Sequence, residues 1–129
     1  MTTGVKQTVL IIEDNEDNMV LISMLLHDAG YATEWAETGL KGVEMAQSVK
    51  PDFILLDIQL PDIEGTEVLN RIRASEDSKI RVPIIAVTSY AMAGDREKLL
   101  SAGCNGYIEK PIDPQQVINQ IKSIIEEKL

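Results

Sequence analysis

Strand-like and helix-like stretches alternate five times along the chain, and no other feature restricts its possible folds as much. Phe53, Ile54, Leu55 and Leu56 form a continuous apolar run, the pattern of a strand covered on both faces in a parallel sheet. The run stops abruptly at Asp57 and passes into a turn at Pro61 and Asp62, with Gly65 close behind. Residues 8–12 and 82–87 read as similar buried strands, Pro83 being tolerable near a strand start. Residues 31–36 alternate and suit a sheet edge, and residues 105–108 make a short fifth strand.

The stretches between them carry helical spacing. Asn15 is a candidate cap for a helix with Met19, Ile22, Leu25, Leu26 and Ala29, which stops at Gly30. The spacing predicts further helices over 38–49, with Leu40 and Val43, and over 64–74, with Val68, Leu69 and Ile72 turned inward. Two more follow over 91–102, ending at Gly103, and over 114–128, where Pro114 suits the first turn. Such alternation predicts an α/β fold: a five-stranded parallel sheet with right-handed crossovers and helices on both faces. Residues 1–129 are expected to form one domain, and residues 114–129 complete its last helix without leaving room for an output domain.

A net charge of -9 argues against nucleic acid binding through the chain's own surface. No apolar run approaches the roughly 20 residues that cross a bilayer, and residues 1–6 lack a signal-peptide core, so the protein is expected in the cytoplasm. The lone Cys104 agrees with a reducing compartment and reads as a small core residue.

The polar residues collect at one place. In open α/β sheets, ligands bind outside the carboxyl ends of the strands, and here those ends hold Glu13 and Asp14, Asp57, Thr88 and Lys110. Three carboxylates without a cation between them repel and raise one another's pKa, a cost that a bound metal removes. Oxygen ligands alone, with no Cys/His cluster, describe Mg²⁺ rather than a softer metal. The set suits phosphoryl transfer to Asp57, with Mg²⁺ and Lys110 neutralising phosphoryl oxygens and the Thr88 hydroxyl donating to a third.

From about Val9 onward the chain resembles the receiver domain of bacterial two-component response regulators, a CheY-like, flavodoxin-like fold. The likeness lies in Leu10-Ile11-Ile12-Glu13-Asp14-Asn15, Ile54-Leu55-Leu56-Asp57-Ile58-Gln59-Leu60-Pro61, Ile85-Ala86-Val87-Thr88 and Tyr107-Ile108-Glu109-Lys110-Pro111. It implies the strand order 2-1-3-4-5 and a cis bond between Lys110 and Pro111. It further implies that Asp57 accepts the phosphoryl group, and that Glu13, Asp14, Asp57 and the backbone carbonyl of Gln59 hold Mg²⁺. Thr88 and Tyr107 would be the switch pair, Thr88 moving toward the phosphoryl group and Tyr107 turning into the vacated space. The acidic pair is Glu-Asp where many members have Asp-Asp, so Glu13 is expected to reach the metal through water. Ser89 stands where Ala or Gly is commoner.

The resemblance also implies partners. A histidine kinase or phosphotransfer protein would supply the phosphoryl group, docking beside Asn15, Asn18, Met19 and Ile22, and a downstream protein would read the fourth and fifth helices. The pattern is similar to that of the small cell-division regulators and of the receivers of hybrid kinases, and the expected state is a monomer or weak dimer. Gln59 and Tyr90 lie two residues beyond Asp57 and Thr88, and the bulk of Tyr90 is expected to slow self-hydrolysis. His27, late in the first helix, is not expected to carry phosphate.

Other classes fit less well. Dehalogenase-type phosphatases also use an aspartyl nucleophile but place a second Asp where this chain has Gln59. A dinucleotide or flavin domain would need a Gly-rich loop after the first strand, where Asp14, Asn15, Glu16 and Asp17 would instead repel a phosphate. A constitutive interaction module would have no use for Asp57, Thr88 and Lys110 together.

Overall fold

The computed structural model describes residues 6–77, 81–89 and 93–126. Its five parallel strands, β1 (Thr8–Ile12), β2 (Ala32–Ala36), β3 (Phe53–Asp57), β4 (Ile84–Thr88) and β5 (Gly106–Glu109), lie in the order β2-β1-β3-β4-β5. The helices between and after them are α1 (Glu16–Asp28), α2 (Gly39–Ser48), α3 (Gly65–Ser75), α4 (Ala93–Ala102) and α5 (Val117–Glu126). The expected order and alternation are both present.

Burial follows from position in the sheet. All five residues of β3 and of β4 are buried, whereas β2 and β5 at the edges are only partly so. Side chains that alternate across a strand feed two separate cores. Leu10, Ile12, Ile54, Leu56, Ile84 and Ala86 meet Val68, Leu69 and Ile72 of α3 and Leu99 of α4 on one face. Val9, Ile11, Phe53, Leu55, Ile85 and Ile108 meet Ile22 and Leu26 of α1 and Val117 and Ile121 of α5 on the other. Full burial of each such side chain stabilises the fold by about 1.5–3 kcal/mol, so a one-residue slip of β1 or β3 would be prohibitive.

Local signals set the element ends. The Asn15 side chain accepts the N–H of Asn18, and Thr38 Oγ1 accepts the N–H of Lys41, capping α1 and α2. Gly30 and Gly103 follow α1 and α4 with left-handed φ values of 95° and 116°. α5 begins later than its spacing predicts, at Val117. Residues 114–116 form a hydrogen-bonded turn instead, in which Asp113 accepts the N–H groups of Gln115, Gln116 and Val117.

Ile22 is buried and Met19 packs against the same core, as their helical spacing suits, so neither forms an exposed patch with Asn15 and Asn18. The exposed apolar side chains of α1 are Val20, Leu21 and Met24, and on α2 Leu40 is 49% exposed. His27 donates to or accepts from Thr33 Oγ1 at 3.0 Å, away from the strand ends. No helix among the described residues is long and apolar enough to cross a membrane.

Candidate functional site

The chain leaves β1 toward β2 and leaves β3 toward β4, so a crevice opens between the carboxyl ends of these two central strands. Glu13 and Asp14 follow β1 and Asp57 closes β3, which brings both acidic segments to that crevice. Glu13, Asp14 and Asp57 each offer an oxygen, all within 4.8 Å of one another. Glu13 and Asp57 are buried and Asp14 is exposed. Three converging carboxylates, one of them open to solvent, fit a hard divalent cation that keeps several waters.

The register of β4 with β5 pairs Thr88 with Glu109, so the next residue, Lys110, reaches the same crevice. Its N–H donates to Thr88 O at 2.8 Å, and its Nζ lies 3.1 Å from Asp57 Oδ1. The Gln59 N–H donates to the same oxygen at 3.0 Å. Lys110–Pro111 is a cis peptide, as the resemblance implied.

Burial, first, and then a shared hydrogen bond with Asp57 and that residue's charge push the Glu13 carboxyl from its ordinary 4.5 up to about 7, against the Asn15 N–H and Lys110. The folded protein therefore binds more protons than the unfolded chain between pH 4.5 and pH 7, and stability falls as pH rises through that window. In a chelator, Glu13→Gln is expected to exceed the wild type in stability by about 2–3 kcal/mol at pH 8, with the gap closing toward pH 5. The amide keeps an acceptor for the Asn15 N–H, which now bonds to Glu13 Oε2. Urea unfolding of both proteins across that range measures the gap, and parallel curves would contradict it.

Thr88 and Tyr107 share the α2–α3–α4 side of the sheet. Thr88 is fully buried and lines a cavity of about 110 Å³ with Ile58, Thr66, Asp95, Lys98 and Leu99. Tyr107 packs against the same core, and the Arg96 guanidinium of α4 stands 5.0 Å from its ring centroid. Arg96 also reaches Glu109 at 3.2 Å. Tyr90 lies outside the described residues.

The sequence model of the response regulator receiver domain matches residues 9–122. The chain belongs to this family. It is 42% identical over 119 residues to the polar-differentiation response regulator DivK of Brucella ovis, covering 92% of this chain and 96% of that one. The DivK of Brucella melitensis is similar to the same degree, 42% over 119 residues, with the same two coverages of 92% and 96%. Among solved structures, the receiver domain of a sensor histidine kinase from Pseudomonas aeruginosa, with a magnesium ion coordinated in its active site cleft, is 36% identical with a TM-score of 0.83. It aligns over 95% of this chain and 99% of that one. The chemotaxis protein CheY4 of Vibrio cholerae is 25% identical, with a TM-score of 0.86 over 93% of this chain and 99% of that one.

Receiver domains are signalling modules that bind Mg²⁺ at such an acidic pocket and exchange phosphoryl groups with histidine kinases or phosphotransfer proteins. In this receiver Glu13, Asp14, Asp57 and Lys110 converge, while Thr88 lines the neighbouring cavity, and three supporting residues carried no signal in the sequence. Asp62 looked only like part of a turn, yet its carboxylate reaches the start of α2. Trp35 was only one residue of the alternating stretch 31–36, and its indole N–H donates to Glu13 O. Arg73 fell outside the inward stripe of α3 and ties that helix to β4 and to the turn before β5. These partners are nine or more residues away along the chain and no local pattern marks them, whereas the Arg73–Glu76 pair is local.

Proposed function

We propose that this receiver accepts a phosphoryl group on Asp57 from the phosphohistidine of a kinase or phosphotransfer protein and passes the state on through its α4–β5–α5 surface. The observation that carries this reading is a buried Asp57 gripped at Oδ1 by both Lys110 Nζ and the Gln59 N–H, inside a carboxylate cluster. Glu13, Asp14, Asp57 and the backbone carbonyl of Gln59 would hold Mg²⁺, which when bound neutralises the carboxylates and the phosphoryl oxygens. A carboxylate oxygen of Asp57 attacks phosphorus as the bond from phosphorus to the donor nitrogen breaks. Lys110 stays protonated and balances charge on the phosphoryl oxygens, and Thr88 donates its hydroxyl to one of them.

The added charge of about -1.5 to -2 draws Thr88 toward the site, and Tyr107 turns into the space behind it. Tyr107 would then leave Arg96, changing the surface that a downstream protein reads. The upstream protein would dock beside exposed Asn15 and Asn18. Support for that comes from a groove of about 400 Å³ at the site, lined by Asn18 and Leu21 with Pro111 and Ile112. The DivK proteins, matched over 96% of their length, support a regulator of that kind.

Acetyl phosphate labelling of the wild type, read by intact mass with Mg²⁺ and with a chelator, tests the reading. A single acid-stable, base-labile phosphoryl group that requires Mg²⁺ is the expected result. Failure to label would leave a receiver fold acting as a constitutive interaction module.

A further inference from the structure

The candidate cation site is built from two loops that share no covalent connection nearer than two helices and two strands. One carries Glu13 and Asp14 after β1, and the other carries Asp57 and Gln59 at the end of β3. Between them runs the end of β2 and the start of α2, and this segment holds both.

At one end, the Trp35 indole donates to Glu13 O at 2.7 Å, while the Glu13 N–H donates to Ala36 O at 3.0 Å. Both sides of the Glu13 backbone are thus fastened to β2. At the other end, Asp62 Oδ1 accepts the Gly39 N–H and Asp62 Oδ2 accepts the Leu40 N–H, each at 2.8 Å. These bonds are charge-assisted and lie at a helix N-terminus, where a carboxylate is favoured. Burial works to raise the Asp62 carboxyl, and N–H donors, chiefly those of Leu40 and Gly39, outweigh it and hold the group below its ordinary range.

Asp62 is not needed as a local cap, because Thr38 already serves Lys41. Its effect is to pull the loop after Asp57 onto α2. The approach is close: a Cβ on Gly39 would stand 2.7 Å from Ile63 Cγ1 and 2.8 Å from Val68 Cγ2, so any larger residue would force those side chains to shift. The same loop is closed on itself by the Gly65 N–H on Ile58 O at 3.2 Å, and it delivers the Gln59 N–H to Asp57.

We infer that residues 35–40 act as a tie between the two acidic loops, with Trp35 and Asp62 as positioning residues at its ends that set the spacing of Glu13 and Asp14 from Asp57. The inference rests on the reading of these three carboxylates as one cation site. It makes the two contacts, remote from each other, parts of one device: cutting either end frees the spacing, and cutting the second then adds little.

The test is a double-mutant cycle on Mg²⁺ affinity, with Trp35→Phe, Asp62→Ala and their combination titrated with Mg²⁺ alone and followed by amide chemical shifts. Each single substitution should weaken binding about tenfold or more, as loss of an outer partner of a metal ligand does. The double variant should bind no more weakly than the worse single one, and Asp62→Asn, which keeps one acceptor oxygen, should recover part of the loss. Independent, multiplying losses, or unchanged affinity, would overturn the tie. Amide exchange in chelator separates this from the cation reading: Asp62→Ala should speed exchange at Glu13, and Trp35→Phe at Gly39. Those exchange effects in a protein that does not bind Mg²⁺ would leave the tie standing and remove the cation site.

Discussion

Asp57→Asn is expected to take up no phosphoryl group from acetyl phosphate and Mg²⁺ under conditions in which the wild type takes up one. The amide has nearly the same shape and can still accept the Gln59 N–H that reaches Asp57 Oδ1 at 3.0 Å, so the fold survives and only the nucleophile is lost. Lys110→Ala separates charge from nucleophilicity. Asp57 remains, but the cation 3.1 Å from its Oδ1 is gone. Removal of one preorganised charge-stabilising donor from such a site slows reaction by about 10²–10³-fold, so labelling should proceed to the same single adduct at that reduced rate. Intact-mass time courses read both outcomes. A fully labelled Asp57→Asn protein would move the acceptor role to another carboxylate, and an unchanged rate for Lys110→Ala would remove the lysine from the chemistry.

Arg73→Ala should cost about 3 kcal/mol of stability, the low end of the range for breaking a buried ion pair from one side, because this pair is partly buried. The guanidinium is 11% exposed and its partner Glu76 is 14% exposed. Nε and Nη2 both donate to Gly103 O, at 3.0 and 2.8 Å, Nη1 to Val82 O at 2.7 Å, and Nη2 to Asn105 Oδ1 at 2.9 Å. Asn105 Oδ1 in turn accepts the Ile84 N–H, and Glu76 Oε2 accepts the Val82 N–H. Truncation would therefore leave a part-buried carboxylate without its cation and several carbonyls without a donor, and loosen the entries to β4 and β5. With a total stability of about 5–15 kcal/mol for a domain of this kind, the urea midpoint should fall by a large fraction. Arg73→Lys should recover little, because an ammonium cannot reproduce the planar fork. A loss under about 1 kcal/mol for Arg73→Ala would mean that water replaces these bonds at little cost.

The strands and helices were legible because each has its own hydrophobic period. β3 and β4 are apolar up to their last residues and buried on both faces, and Val68, Leu69 and Ile72 recur at helical spacing and are all buried. The site was legible for a related reason: polar residues at the ends of apolar runs can only lie at the rim of the sheet. Legibility failed where a side chain's partner is distant in sequence. Ile22 and Leu21 are adjacent apolar residues of one helix, yet the first is 4% exposed and the second 40%. Which of them faces the sheet depends on how α1 is rotated against β1 and β3, and that is set by all its contacts together.

The order of elements, the identities of the rim residues Glu13, Asp14, Asp57 and Lys110, and the cap at Asn15 follow from sequence alone. They depend on periodicity and on contacts within four residues, which any local stretch displays. The tertiary structure alone decided that the indole of Trp35 holds the backbone of Glu13, that Asp62 grips the start of α2, and that Arg73 bridges α3 to the entries of β4 and β5. Those are hydrogen bonds between groups brought together by packing. Their donors and acceptors are common residue types, and only the folded chain selects which ones meet.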